Sequence, residues 1–186
     1  SAYGMHPCKV HLPGVECSSG SLGHGMPMAV GMAISAKQKK EEHRVFCIVG
    51  DGESCEGSIW EAAIAGASYH LGNLCVLIDR NKQFMTTFSE ETIVLEPYAD
   101  KWRAFGWNTV EVDGHDMAQL VAALDALPPA ASDKPTAIVC STVKGKGVSF
   151  MEHNIGWHAG TLKTDDMNIA IKEVLDAHTR AVEGRI

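Results

Sequence analysis

A chain of 186 residues, 45% hydrophobic and 21% charged, has the length of one globular domain on the usual scale of roughly 100–200 residues, and its composition excludes disorder and collagen. A domain of this size removes roughly 70% of its unfolded surface from water, so a core needs neither disulfides nor a structural metal. The net charge of −7, with Lys and Arg scattered, argues against nucleic-acid binding, and apolar runs such as 45–50 and 74–78 fall far short of the roughly 20 residues that span a bilayer.

In chain order, the glycine-rich stretch 20–25 reads as a loop feeding a helix over residues 24–40, where Met28, Ala29, Met32, Ala33 and Ala36 recur at helical spacing. Residues 44–49 form a continuous apolar run with β-branched members, ended by Gly50-Asp51-Gly52, the pattern of a strand covered on both faces. An alanine-rich helix over 58–69 and a second buried strand over 74–79 follow. A helix over 98–105, a strand over 108–112, a helix over 117–127 and a strand over 136–141 complete the alternation. A last helix over 165–182 takes Thr164 as its N-cap, with Ile169, Val174 and Leu175 on one stripe. This order predicts an α/β fold, a parallel sheet with helices on both faces and right-handed crossovers. Such a sheet carries its chemistry at the carboxyl ends of its strands, where both the Gly50-Asp51-Gly52 and the Asp79-Arg80-Asn81 turns fall.

The six cysteines, Cys8, Cys17, Cys47, Cys55, Cys75 and Cys140, are widely spaced, and three lie in strand-like runs. There is no CxxC pair, and the lone CxxH pair, Cys8-Lys9-Val10-His11, has no second pair to complete a zinc site. Buried thiols in a reduced, cytoplasmic protein are the expectation.

Gly50-Asp51-Gly52 alone reads as a turn after a strand. A second polar turn, 30 residues further at Asn81, changes that reading. Mg²⁺ takes about six oxygens, several of them from phosphate and water. Asp51 offers a carboxylate, Asn81 an amide oxygen and Gln83 a main-chain carbonyl, and glycines flanking Asp51 admit a diphosphate. Glu53 and Glu56 at the next helix start favour an anion accompanied by a cation over an anion alone.

The run Gly50-Asp-Gly-Glu-Ser-Cys-Glu-Gly-Ser-Ile-Trp-Glu61 followed by Asp79-Arg-Asn81 resembles the thiamine diphosphate signature. Gly4-Met-His-Pro7, the stretch from Pro13 to Gly25, Asp113-Gly-His-Asp116, Lys144-Gly-Lys-Gly147 and Trp157-His158 narrow the resemblance to the transketolase family, over nearly the whole chain. It is most similar to the amino-terminal subunit of split, two-gene transketolases. That resemblance implies magnesium (or calcium or manganese) held by Asp51, Asn81 and the Gln83 carbonyl, with Gly52 at the diphosphate and Leu22 beside the cofactor rings. It implies sugar contacts from His6 and His158, the latter also near the diphosphate, and carboxylates Glu56 and Glu61 at the boundary between cofactor-binding domains. The implied reaction is transfer of a two-carbon ketol unit from a ketose phosphate to an aldose phosphate, with the pyrimidine-activating carboxylate on a separate polypeptide, two copies of each chain forming a heterotetramer.

Met5 stands where the family has glycine, and one further residue separates His6-Pro7 from Pro13-Gly14. Two family histidines upstream have no counterpart and the chain opens at Ser1, so residues 1–186 are expected to be a single diphosphate-side domain lacking an upstream segment. Alternatives are another thiamine diphosphate enzyme, of deoxyxylulose-phosphate synthase or 2-oxoacid dehydrogenase type, and a non-catalytic assembly homologue. His6-Pro7 and Trp157-His158 favour transketolase over the two enzymes. His11, His43, His70 and His178 are read as surface or packing residues, Lys144 and Lys146 as part of a solvated mobile loop or a phosphate clamp, and His24, His115 and His153 are left open.

Overall fold

The apolar runs become four parallel strands in a computed structural model that describes residues 6–184: β1 (Val45–Gly50), β2 (Leu74–Arg80), β3 (Asn108–Asp113) and β4 (Thr136–Ser141). Their order in the sheet is β1-β2-β4-β3. Register runs from Val45 opposite Leu74 to Gly50 opposite Asp79, and from Cys75 opposite Thr136 to Arg80 opposite Ser141. The helices are α1 (Gly25–Gln38), α2 (Gly57–Ser68), α3 (Ser89–Thr92), α4 (Tyr98–Ala104), α5 (Met117–Asp125) and α6 (Thr164–Val182).

Alternation along a strand sends successive side chains to opposite faces. Cys47, Val49, Leu74, Val76 and Ile78 therefore meet α1, α2 and α4 on one face, where Met26, Ala33, Ile59 and Ala63 are also buried. Small residues on α1 and α2 let the helices approach the sheet. Around them Trp102, fully buried, lies 5.1 Å from Trp107 and 5.6 Å from Trp60 between ring centroids, and Trp107 Nε1 donates to the Ala63 carbonyl at 2.8 Å. The polar end of a buried indole is thus satisfied.

Cys75, Ile138, Cys140 and Val112 face the other way and are covered by α5 through Ala123, Leu120 and Leu124. Helix α5 is started by Asp116, whose Oδ1 accepts from the Ala118 and Gln119 amides at 2.9 and 3.2 Å, a cap worth about 1 kcal/mol. Cover on both faces holds for β2 and β4. It does not extend to β1: Phe46 and Ile48 are 53% and 75% exposed, because α5 lies over the opposite half of the sheet. Apolarity alone could not show which strand a single helix would miss.

Two further details differ from expectation. The N-cap of α6 is Lys163, Thr164 being the first helical residue, and Ile169, Val174 and Leu175 on that helix are about half exposed. Helix α6 is joined to the preceding loop through Glu173, which accepts from the Ser149 amide and hydroxyl at 2.7 and 2.6 Å. The six cysteines are free thiols, with Cys47, Cys75 and Cys140 buried as expected. Burial raises the first two to about 12.

Truncating Trp102 to Ala removes the centre of the aromatic layer and should cost about 3–5 kcal/mol in urea denaturation, whereas Ile48→Ala should change stability by less than about 0.5 kcal/mol. Equal midpoints for the two variants would contradict this placement of the core.

Candidate active site

The site grows out of strand register. Because Gly50 stands opposite Asp79, the next pair along the same parallel edge is Asp51 and Arg80, and side-chain parity sends both to the face that carries α2 and α4. Their side chains meet there: Arg80 Nη1 donates to Asp51 Oδ2 at 2.6 Å, with Asp51 fully buried and Arg80 3% exposed. The Lys82 amide donates to the same oxygen at 2.7 Å. Asp51 Oδ1 accepts from the Gly52 amide at 2.8 Å. The Asp51 turn is thereby tied to the Asn81 turn, and one carboxylate oxygen is saturated while the other keeps acceptor capacity.

Arg80 is the hub of a larger set. Nη1 also donates to Ser89 Oγ at 3.0 Å, and Nη2 donates to Glu90 and to Glu96, the latter at 2.7 Å. Its guanidinium carbon lies 5.2 Å from the centre of the Tyr98 ring. Burial by itself would favour the neutral base, yet the hydrogen bonds it donates to Glu96, Asp51 and Glu90 hold Arg80 firmly protonated. Glu96 is held below the usual carboxylate range first by the Tyr98 amide and then by Arg80. At Glu90, burial raises the carboxyl, but Arg80 and the amides of Glu96 and Leu95 outweigh it.

On the other face, Asn81 Nδ2 donates to Asp79 Oδ2 at 3.1 Å and Asn81 Oδ1 accepts from the Gln83 amide at 3.0 Å. Asp79 Oδ1 accepts from the Thr142 hydroxyl, which bonds the loop after β4 to the same edge. The Gln83 carbonyl approaches Gly52: a Cβ built on Gly52 would lie 3.7 Å from it and 2.9 Å from the Phe84 ring. A side chain at position 52 would displace Phe84.

The glycine-rich loop before α1 is fastened to this edge by Glu53, which was visible in the sequence only as an acidic helix start. Glu53 Oε1 accepts from the Gly23 amide at 3.0 Å and Oε2 from the Gly50 amide at 3.3 Å. Ser58 Oγ donates to the Gly23 carbonyl at 2.7 Å. Gly23 has φ +78°, and a Cβ there would lie 2.4 Å from Ser58 Oγ and 2.8 Å from Glu56 Cβ. Conformation and space both require glycine.

Around these turns stand the remaining expected residues. His6 is exposed, its ring carbons 3.4 Å from a Cβ built on Gly20; Gly4 and Met5 of the same motif lie outside the described residues. Leu22 is 57% exposed at the loop rim. Glu56 supplies the backbone N-cap of α2, and the exposed Glu56 and Glu61 carboxylates make no hydrogen bond or ion pair among the described residues. His158 lies beside the second turn, near enough to the Phe84 backbone for that backbone to raise its proton affinity. Burial and the neighbouring Lys144 ammonium outweigh it and lower the proton affinity below the ordinary value of 6.5. His115 Nε2 accepts from the Val143 amide at 2.7 Å, and His24 Nδ1 is 3.0 Å from the Leu22 carbonyl. Both imidazoles fasten loops.

Among the described residues, no three His, Cys, Asp or Glu side chains gather as a metal site. One carboxylate, one amide oxygen and one main-chain carbonyl are instead a hard-oxygen set, suited to Mg²⁺ with phosphate and water completing its shell. The free capacity of Asp51 Oδ1 and the close approach of the Gln83 carbonyl to Gly52 fit that group. A cavity of about 600 Å³ lined by Lys37, Arg44, Asn73 and Ser132 opens at the amino ends of the strands, away from these donors.

Fold and site together define an α/β protein in which the Asp51 turn, at the carboxyl edge of a parallel sheet, is joined to a glycine-rich loop. Residues 1–180 match the model of the family described as transketolase, thiamine diphosphate binding domain, and the chain belongs to that family. It is 40% identical over 171 residues to one of the subunits of the apulose-4-phosphate transketolase of Actinobacillus succinogenes, covering 92% of this chain and 61% of that protein. It is 38% identical over 161 residues to SqwG, a 6-deoxy-6-sulfo-D-fructose transketolase subunit of Clostridium sp. (strain MSTE9), covering 87% and 58%. The chain thus spans about three fifths of these relatives. Transketolase from Campylobacter jejuni superimposes with a TM-score of 0.80 at 27% identity, over 87% of this chain and 26% of that one. A Pichia stipitis transketolase in complex with sedoheptulose 7-phosphate gives 0.78 at 28%, over 90% and 26%.

A histidine whose proton affinity is lower folded than unfolded makes the unfolded chain bind more protons, so stability rises with pH between the two values. The contribution of His158 is therefore complete above about pH 6.5 and declines as pH falls toward the folded value. Histidine NMR should show His158 titrating below 6.5 and moving upward in Lys144→Gln. No movement in that variant would contradict the electrostatic cause.

Proposed function

We propose that this chain is the diphosphate-binding part of a two-chain transketolase, transferring a two-carbon ketol unit from a ketose phosphate to an aldose phosphate with thiamine diphosphate and Mg²⁺. The observation that carries this reading is the tie between the two turns: the Lys82 amide on Asp51 Oδ2, the Gln83 amide on Asn81 Oδ1 and the Gln83 carbonyl beside Gly52, with His158 beside the Phe84 backbone. Family membership supplies the cofactor class.

When bound, thiamine diphosphate supplies the chemistry for breaking the carbon–carbon bond beside a ketose carbonyl. The protein's part is binding, orientation and proton movement. Asp51 Oδ1, Asn81 Oδ1 and the Gln83 carbonyl would hold the metal, and Gly52 keeps the first turn free of a side chain beside the diphosphate. Leu22, projecting from a loop that Glu53 and Ser58 fix, would lie against the cofactor rings. His158, with its lowered proton affinity, is neutral at pH 7 and able to accept a proton from a sugar hydroxyl. His6 would face the same hydroxyls from the other side of the glycine-rich loop. The exposed Glu56 and Glu61 would meet the partner subunit, which supplies the pyrimidine side in a heterotetramer of two chains of each kind. Relatives that are themselves named as single subunits of a transketolase support that division of labour. Apulose 4-phosphate and 6-deoxy-6-sulfo-D-fructose belong among the substrates to screen, since two relatives carry these sugars in their names.

Titration of thiamine diphosphate at fixed Mg²⁺ into the chain assembled with a pyrimidine-binding subunit should give tight binding. Asp51→Ala and Asn81→Ala should weaken metal and cofactor together, because each bridges the other, and ketol transfer should require the mixture. Wild-type cofactor affinity in both variants would refute the ligand assignment, and full activity of the chain alone would refute the two-chain arrangement.

A further inference from the structure

Arg80 carries more of the site than its position after an apolar strand suggests. We infer that Arg80 is a positioning residue for the metal: by binding Asp51 Oδ2 it turns Oδ1 toward the cation and fixes the Asp51 turn to the segment that carries Glu90 and Glu96. This rests on the proposed metal and cofactor site and deepens it.

The geometry is specific to a guanidinium. Four bonds leave two nitrogens in diverging directions, Nη1 to Asp51 and Ser89, Nη2 to Glu90 and Glu96, with the Tyr98 ring at one face. A lysine ammonium has three donors on one atom and cannot span that set. Tyr98 is itself fixed, its hydroxyl 2.5 Å from Ser54 Oγ, which donates to the Gly50 carbonyl at 3.1 Å. The clamp on Asp51 is therefore braced from both sides of the turn. With Oδ2 saturated by Arg80 and the Lys82 amide, rotation of the carboxylate would break two short bonds, so only Oδ1 is presented.

Glu90 and Glu96 belong to the same device although neither touches the Asp51 turn. They balance Arg80 so that its charge is shared among three carboxylates. A guanidinium paired with Asp51 alone would oppose a divalent cation next to it. Shared in this way, it orients the ligand while leaving the neighbourhood attractive to Mg²⁺.

The test uses Mn²⁺ as probe, with free Mn²⁺ read by electron paramagnetic resonance in the presence of thiamine diphosphate and the partner subunit. Partners of metal ligands typically alter metal affinity about 10–100-fold. Arg80→Lys should weaken Mn²⁺ by that amount, and Glu96→Gln, at a half-exposed side chain, should weaken it less but in the same direction. Cofactor affinity and turnover should recover at saturating Mn²⁺, which a general loss of structure would not allow. Should Arg80→Lys fail to fold, Glu96→Gln decides alone. Wild-type Mn²⁺ affinity in the folded variants, or a loss that saturating Mn²⁺ does not restore, overturns the positioning role while leaving the site itself intact. Absence of Mn²⁺ and cofactor binding by the wild-type assembly overturns the site and the positioning role together.

Discussion

The carboxyl edge of this sheet is organised by one buried ion pair, Arg80 with Asp51. Placing two charges out of water costs several kcal/mol per ion, and mutual attraction offsets that only when the remaining donors and acceptors also find partners. Here they largely do. Asp51 accepts from Arg80 and two main-chain amides, and Arg80 donates to Ser89, Glu90 and Glu96 as well. Its Nε is buried with no partner among the described residues. Loss of Arg80 would strand the buried Asp51 carboxylate without an ion partner, an outcome that commonly costs about 3–5 kcal/mol, whereas loss of Asp51 would leave Arg80 paired with Glu90 and Glu96.

The same pair explains why the candidate site lies where it does. Parallel register brings the ends of β1 and β2 level, and the turn after each strand then carries one half of the hard-oxygen set. Glu53 and Ser58 draw the glycine-rich loop against the first turn, Thr142 draws the loop after β4 against Asp79, and His158 closes on Phe84. Each attachment joins a loop to a strand end that the apolar core already fixes. Three carboxylates facing one guanidinium leave an excess of negative charge around the Asp51 turn, the electrostatic condition under which a divalent cation and a diphosphate are bound as a unit.

Much of this was legible in the sequence because buried parallel strands have a strong signature. The runs at 44–49, 74–79 and 136–141 are continuous and apolar, and each became a strand within a residue of its expected limits. The family was legible through the motifs around Asp51 and Asn81. Arg80 was not, because a charged residue at the end of an apolar run reads as the start of a solvated turn. A signal existed: counting by twos from Val76 and Ile78 places Arg80 on the buried face, where a lone cation needs carboxylates. Glu53 was visible only as a helix-start charge, since its two amide donors come from positions 23 and 50. The open face of β1 and the half-exposed stripe of α6 depend on which element lies above them, and side-chain periodicity carries no information about that.

The central claim is that Asp51 is divided between a permanent internal cation and an external one. Anomalous diffraction from crystals of the assembled protein with Mn²⁺ and thiamine diphosphate tests it directly. The account predicts a peak bonded to Asp51 Oδ1, Asn81 Oδ1 and the Gln83 carbonyl, with Arg80 still paired to Asp51 Oδ2. A peak elsewhere, or a metal that has displaced Arg80 from Asp51, would contradict it.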